Sequence, residues 1–342
     1  MSHCNISIFV PHAGCPHQCS FCNQKTISGQ SYAPKADDVH RICRQAVTEV
    51  KDKENSEIAF FGGSFTAIDR DYMVSLLDAA KCYLGENGFK GIRISTRPDF
   101  IDREILDILK SYGVTSIELG AQSMANHVLK ANERGHTAED VYRASALIRE
   151  YGFELGLQMM VGLYKSSVND ELKTMESIIE ICPDTVRIYP VVVLKGTKLA
   201  ELYESGKYKL MSFDTVVELC SNMLEEFHMQ GIDVIKCGLH ASDGVEGDMI
   251  SGFYHPAFKE LCESRIYRRK MEKIIAEGYN NSIVKVMKCR FSQVTFAVNP
   301  SCISKALGHK KSNTEFFRKQ NNVDIKVVGD EEIPKYQCEI RG

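Results

Sequence analysis

The sequence predicts an α/β protein in which parallel strands alternate with helices as in a β/α barrel, followed by a smaller α/β segment. Three observations carry this reading. Seven short β-branched or apolar runs recur through the first 240 residues, patterns of helical period separate them, and the sign of the net charge changes after them. With 342 residues, 44% of them hydrophobic and 25% charged, the chain has material for one large domain and a smaller one. The expected division is 1–240 for the core and 241–342 for a basic tail domain.

The strand runs are NISIFV (5–10), EIAFF (57–61), GIRIST (91–96), TSIELG (115–120), FELGLQMMVG (153–162), TVRIYPVVV (185–193) and IDVIKCG (232–238). They are short and dense in apolar residues, as befits strands covered on both faces. Between them, Ile101, Ile105, Leu106 and Leu109 recur at helical spacing with Gly113 as the stop, and Thr137 with Asp140 forms a capping-box start for the next helix. In such a barrel the loops after the strands all open at one end, so the residues just past each run are expected to converge on the site.

Charge divides the chain. Residues 1–240 carry 25 Lys and Arg against 32 Asp and Glu, a net of −7, whereas 241–342 carry 17 against 13, a net of +4. Within 259–326 there are 15 basic and 6 acidic residues, including RIYRRK at 265–270 and GHKKSN at 308–313. Such a tail suggests an anionic partner. The opening residues lack a secretory pattern, and no segment approaches a membrane-spanning apolar run. A soluble, cytoplasmic protein with no membrane partner is expected. Thirteen cysteines in a reducing compartment point to metal or redox chemistry rather than disulfides.

Past the first strand, PHAGCPHQCSFCNQ places Cys15, Cys19 and Cys22 within eight residues. Three thiolates on one loop are one fewer than a closed four-cysteine site needs, so one metal position stays open. Past the second strand, FFGGSFT offers Gly62 and Gly63, where the backbone can approach a ligand closely, together with Ser64 and Thr66. The third and fourth strands end in Ser95 and Arg97 and in Glu118 and Gln122. Tyr189 in RIYPVV and Lys195 in LKGTKL stand near the sixth strand's mouth as candidate substrate-contacting, catalytic residues.

The spacing Cys-x-x-x-Cys-x-x-Cys with Phe21 before the third cysteine resembles the signature of the radical S-adenosylmethionine enzymes. The resemblance implies a partial (β/α)6 barrel of TIM-like type and a [4Fe–4S] cluster held by Cys15, Cys19 and Cys22. The fourth iron would bind S-adenosyl-L-methionine, and Phe21 would pack beside the adenine. It also implies that the Gly62–Gly63 turn, Ser64, Thr66, Ser95, Arg97, Glu118, Gln122 and Gln158 contact this cosubstrate. An electron from a reductase or ferredoxin-type donor would cleave it to a 5′-deoxyadenosyl radical.

STRPDFID, IELGAQSM, RGHTAEDV and PDTVRIYPVVVLKGTKLAELYESGKY resemble, nearly in order, the radical domain of the catalytic subunit of Elongator, which modifies transfer RNA. The oxygen-independent coproporphyrinogen oxidases are similar less closely. Two departures stand out. A core of this size leaves no room in 342 residues for Elongator's acetyltransferase domain, and Tyr164 replaces the proline of a Gly-Leu-Pro turn. The expected activity is radical chemistry on transfer RNA; the alternatives are porphyrin-type metabolism or a non-catalytic iron–sulfur RNA-binding protein. In the tail, TFAVNPSCISKALGHKKSNTEFFRKQNNVDIKVVG reads as strand, glycine turn, helix and strand, similar to half of a KH module. Lys311 stands where the second glycine of the KH turn would be. Lys310, Lys311 and Arg318 are the candidate RNA contacts.

Overall fold

The computed structural model describes residues 4–10, 18–23, 26, 32–239, 243–280 and 292–341. The elements run β1 (Cys4–Val10), α1 (Ala36–Glu49), β2 (Ser56–Gly62), α2 (Arg70–Lys81), β3 (Gly91–Thr96), α3 (Arg103–Ser111), β4 (Val114–Gln122), α4 (Asn126–Ala131), α5 (Ala138–Glu150), β5 (Glu154–Val161), α6 (Val168–Ile181), β6 (Thr185–Pro190), β7 (Val192–Leu194) and α7 (Lys198–Glu204). There follow α8 (Phe213–Met229), β8 (Asp233–Cys237), α9 (Asp243–Asp248), β9 (Met249–Gly252), α10 (Phe258–Asn280), β10 (Ser292–Val298), α11 (Ile303–Leu307), α12 (Ser312–Asn321), β11 (Val323–Gly329) and β12 (Cys338–Arg341).

Seven strands form one sheet in the order β1-β2-β3-β4-β5-β6-β8, with every neighbouring pair parallel. A parallel sheet in sequence order, each strand returning through a crossover, curls into a half-barrel, the partial TIM-like fold that the alternation predicts. Local chemistry starts its helices. Asp69, Asp102, Thr137, Ser167 and Thr197 each accept a backbone N–H at a helix start, and Thr137 with Asp140 makes the expected capping box. The run 185–193 is not one strand. Pro190 has no N–H to continue the ladder, and after Val191 the chain leaves the sheet as β7, pairing antiparallel with β9.

Alternation along the strands separates two faces. Ile92, Ile94, Ile117, Leu119, Leu155, Leu157, Val186 and Ile188 are fully buried, as are Leu76, Leu77, Leu106, Val141 and Ile178 of the crossover helices. The other face is polar. Arg93 Nε donates to Glu57 at 2.7 Å, its Nη2 to Glu154 at 2.6 Å and its Nη1 to Glu118 at 3.3 Å. Arg187 forks onto both oxygens of Glu118 at 2.7 and 2.8 Å, and Gln158 donates to that carboxylate at 2.8 Å. Small residues make room for this layer. A Cβ on Gly156 would stand 2.8 Å from Glu118 Cγ.

The chain divides into two compact units, one of Met1–Met211 with Ile232–Tyr254 and one of Ser212–Gly231 with His255–Gly342. A single cut after residue 240 therefore does not follow the contacts, because α8 belongs with α10. Arg265 pairs with Asp214 and Glu218, Arg269 with Glu218 and Glu225, and Lys270 with Glu225. The basic run RIYRRK is thus largely spent on the carboxylates of α8. By compact unit the second carries 17 basic against 14 acidic residues, a net of +3. Its sheet has the order β11-β10-β12, with β10 and β11 parallel and joined through α11 and α12.

Burial raises the Glu57 carboxyl, but Arg93 and hydrogen bonds from Ser116 and Thr115 outweigh it and hold the group below the usual carboxylate range. Replacing Arg93 by Met removes the cation shared by Glu57, Glu118 and Glu154, and is expected to destabilise the fold by roughly 3–5 kcal/mol in denaturant unfolding. Glu154→Gln, at the partly exposed rim, should cost about 1 kcal/mol or less. Equal losses for the two variants would sink the assignment of Arg93 as the hub.

Candidate active site

The C-terminal ends of the parallel strands gather part of the predicted set. After β1 the chain enters the cysteine loop. Cys15 lies outside the described residues; Cys19 is buried, Cys22 and Phe21 are half-buried, and the Cys22 N–H donates to the Cys19 carbonyl at 3.1 Å, closing a turn. Ser20 anchors that turn. Its N–H and hydroxyl donate to the carbonyl and the Oδ1 of Asn132 at 3.1 and 2.8 Å, and its carbonyl accepts from Leu199 N at 2.7 Å. Arg134, two residues after Asn132, donates from Nη1 to Cys19 Sγ at 3.2 Å and from Nη2 to the Gly120 carbonyl at 2.7 Å.

The glycine pair is in close contact with the neighbouring strand. Gly62 has φ +116°, and a Cβ there would fall 2.5 Å from the Val10 carbonyl oxygen, which also accepts the Gly63 N–H at 2.9 Å. The pair packs the end of β2 against the strand that delivers the cysteines. Ser64 and Thr66 are buried; Thr96 Oγ1 lies 2.8 Å from Ser64 Oγ and 2.6 Å from Thr66 Oγ1, and Thr66 donates to the Phe100 carbonyl at 2.8 Å. These hydroxyls staple the loop after β2 to the loop after β3.

Four buried polar atoms around the ends of β3 and β4 have no partner among the described residues: Arg97 Nη1, Gln122 Oε1, Arg134 Nε and His136 Nδ1. Arg97 otherwise forks onto Asp99 at 2.9 and 2.7 Å. Gln122 sits at φ +64°, where the β4–β5 register shifts. Burial first, and then Arg134, lowers the His136 imidazole to about 4, so it is neutral near pH 7. Since Nε2 faces the Ala121 carbonyl at 3.1 Å, the proton belongs there and Nδ1 is an acceptor. Two orphan donors and two orphan acceptors in one cluster are the complement of a zwitterionic, hydroxylated ligand, and S-adenosylmethionine is of that class. The site fits the cosubstrate.

Deeper in the barrel, Glu118 is held by Arg187, Arg93 and Gln158, and Gln158 lies 3.3 Å from Ser95 Oγ. Tyr189 is on the same strand, two residues beyond Arg187, and burial raises its phenol. Lys195 turns elsewhere. Its Nζ donates to the Gly247 carbonyl at 3.1 Å, near the end of α9. In the second unit Lys310 and Lys311 are exposed in left-handed backbone (φ +51° and +63°) before α12, and Arg318 pairs with Asp324 at 2.8 Å. The reading from residues overlooked Asn132, Arg134 and His136. Their signal was the string ANERGH, polar residues between two helices where a short surface connection needs none buried.

The sequence matches the family model of the Radical SAM superfamily over residues 9–178 and that of the Radical_SAM C-terminal domain over 183–268. The chain belongs to the radical SAM superfamily. Its members use a [4Fe–4S] cluster and S-adenosylmethionine, and this chain is a radical SAM enzyme. Among curated relatives, a tRNA uridine(34) acetyltransferase of Dehalococcoides mccartyi (strain CBDB1) is 28% identical over 239 residues, 59% of this chain and 52% of that protein. An uncharacterised protein of Methanocaldococcus jannaschii is 31% identical over 225 residues, 62% of this chain and 68% of that protein. The solved Methanocaldococcus infernus Elp3 with an N-terminal deletion superposes with TM-score 0.55 at 21% identity, covering 71% of this chain and 61% of that one. The chain thus spans about half the length of the transfer-RNA-modifying relative. Among the described residues no helix is long and apolar enough to cross a membrane.

Beside the site, the loop after β5 rests on Glu171, which is buried and accepts from Gly162 N and Ser166 Oγ, both at 2.8 Å and both on Oε1. Burial pushes its carboxyl up to about 7. A raised folded-state value means that the protonated form favours folding, so this contribution is whole below the unfolded value and is lost as pH rises through about 7. Glu171→Gln keeps the acceptor. It is expected to gain stability over wild type, on the order of 2 kcal/mol, between about pH 5 and pH 8 in denaturant unfolding. A difference independent of pH would refute the assignment.

Proposed function

We propose that the chain carries out radical chemistry on transfer RNA. The observation that supports this best is the constellation at the barrel mouth, a cysteine turn tied to Asn132 and Arg134 beside the unpaired atoms of Arg97, Gln122 and His136, in a chain whose relatives include a tRNA uridine(34) acetyltransferase. The cluster and S-adenosylmethionine, when bound, supply a carbon-centred radical that removes a hydrogen atom from the substrate.

The residues do the rest by position. Cys15, Cys19 and Cys22 bind iron. Arg134 presents an N–H to the Cys19 sulfur, which steadies a thiolate ligand and fixes its direction. Arg97 Nη1 and Arg134 Nε suit a carboxylate, while Gln122 Oε1 and neutral His136 Nδ1 suit an ammonium or hydroxyl. Ser95, Glu118 and Gln158 line the wall below, and Glu118, braced by two arginines, keeps its carboxylate in place whatever occupies the mouth. Tyr189 faces the same interior as Arg187 and is our candidate for substrate contact. Phe21 is our candidate to pack beside the adenine. The Lys195 contact with Gly247 makes it a brace between loops in this reading. Lys310, Lys311 and Arg318 are proposed as contacts to RNA phosphates, Arg318 with its charge shared by Asp324.

Anaerobically reconstituted protein is expected to bind about four irons and to form 5′-deoxyadenosine under strong reductant, with both lost in the Cys15→Ala/Cys19→Ala/Cys22→Ala variant. Transfer RNA from cells with and without the gene, digested to nucleosides and compared by mass spectrometry, should differ at one modified nucleoside. Cluster assembly and cleavage with no nucleoside change and no RNA affinity would leave the radical enzyme and remove the RNA substrate.

A further inference from the structure

Outside the cosubstrate site, the loop after β5 and the loop after α7 form a pocket of about 180 Å³ whose lining includes Tyr164, Lys165, Ser166, Lys207, Tyr208 and Lys209. Three lysines meet there, and no carboxylate lines the pocket. Among the described residues Lys165, Lys207 and Lys209 have no carboxylate partner within 4.0 Å, as holds for several other lysines of this unit, but here three such cations share one concavity. Since this compact unit has 25 basic and 31 acidic residues, three unneutralised cations at one concavity are a local reversal of sign.

The pocket wall is tied by hydrogen bonds. Lys165 is in left-handed backbone at φ +65°, Gly162 N and Ser166 Oγ are tied to Glu171, and the Tyr208 hydroxyl donates to the Gly162 carbonyl. The rings of Tyr164 and Tyr208 meet edge to face with centroids 5.8 Å apart, and Lys165 Nζ lies 5.4 Å from the centre of the Tyr164 ring. The pocket is also joined to the chemistry. Asn132 Nδ2 donates to the Tyr164 carbonyl at 2.9 Å while its Oδ1 accepts from Ser20, the residue after Cys19. One buried side chain therefore bridges the pocket wall and the cysteine turn.

We propose that this pocket is a phosphate-binding subsite that seats the RNA backbone next to the barrel mouth, with Lys165, Lys207 and Lys209 as the cations and Tyr164 as a face for an adjoining ribose or base. Lysine ammonium groups are point charges that suit phosphodiester oxygens, and an aromatic face beside them suits single-stranded nucleic acid. The assignment rests on the RNA reading above. It also explains why a tyrosine is useful at the position of the usual turn proline, since proline offers neither ring face nor hydroxyl.

The test is fluorescence anisotropy of labelled transfer RNA on the reconstituted protein over a salt series, comparing wild type, the Lys165→Ala/Lys207→Ala/Lys209→Ala variant, the corresponding triple arginine variant, and Lys310→Ala/Lys311→Ala. The alanine triple should lose roughly tenfold or more in affinity at moderate salt and flatten the salt dependence by about two to three contacts, with the arginine triple restoring both. All three lysines are exposed, so thermal melting should be unchanged. Wild-type binding that the alanine triple leaves intact, in affinity and slope, overturns the pocket but not the RNA reading. Wild type without salt-dependent RNA binding overturns both. Titration of inorganic pyrophosphate separates the sources: binding lost in the alanine triple, with no RNA binding by wild type, would make the occupant a small phosphorylated molecule.

Discussion

The barrel depends on a charge compensation that no single strand can make. Arg93 on β3 and Arg187 on β6 neutralise carboxylates on β2, β4 and β5, so five strands share one buried network. The two arginines are only slightly exposed, which makes every contact strong and every missing contact costly. Burial works against the Arg93 guanidinium, and its three carboxylate neighbours more than offset that. An apolar interior would fill the same space with less risk, but it would leave nothing to hold polar groups at the mouth in fixed directions. The network is the floor on which Glu118, Gln158 and Tyr189 stand.

Above this floor the site is assembled from close approaches. Gly62 lets β2 end against Val10, Gly120 leaves space for the Arg134 and Gln122 side chains, and Gly156 leaves space for Glu118. Each glycine replaces a side chain that would collide with a functional group or with the strand that carries one. The cysteine turn is then held from outside the barrel, by Asn132 and Arg134 between α4 and α5 and by Leu199 in α7. The described part of that loop is thereby held by hydrogen bonds to three distant residues, an arrangement that lowers the ordering cost of any ligand it takes.

The same economy of polar contacts separates the two kinds of basic residue in this chain. Those on α10 are bound to α8, whereas among the described residues of the first unit most arginines have a carboxylate partner and most lysines have none. Linear charge counting put the positive character in the tail, and three-dimensional pairing shows that part of it is neutralised by α8.

The alternation of strands and helices in the core, the capping box at Thr137, the cysteine triplet and the glycine turn were legible in the residues, because each depends on local periodicity or on a conformation few residue types allow. What the chain order could not disclose is which distant groups meet. That RIYRRK faces the acids of α8, that Asn132 spans from Ser20 to Tyr164, that Arg134 reaches the Cys19 sulfur and that Lys165 shares a pocket with Lys207 and Lys209 follow only from packing, which brings together side chains 32 to 115 residues apart. Periodicity is a property of neighbours along the chain, whereas buried polar pairing is a property of neighbours in space, decided when burial forces each charge to find its partner.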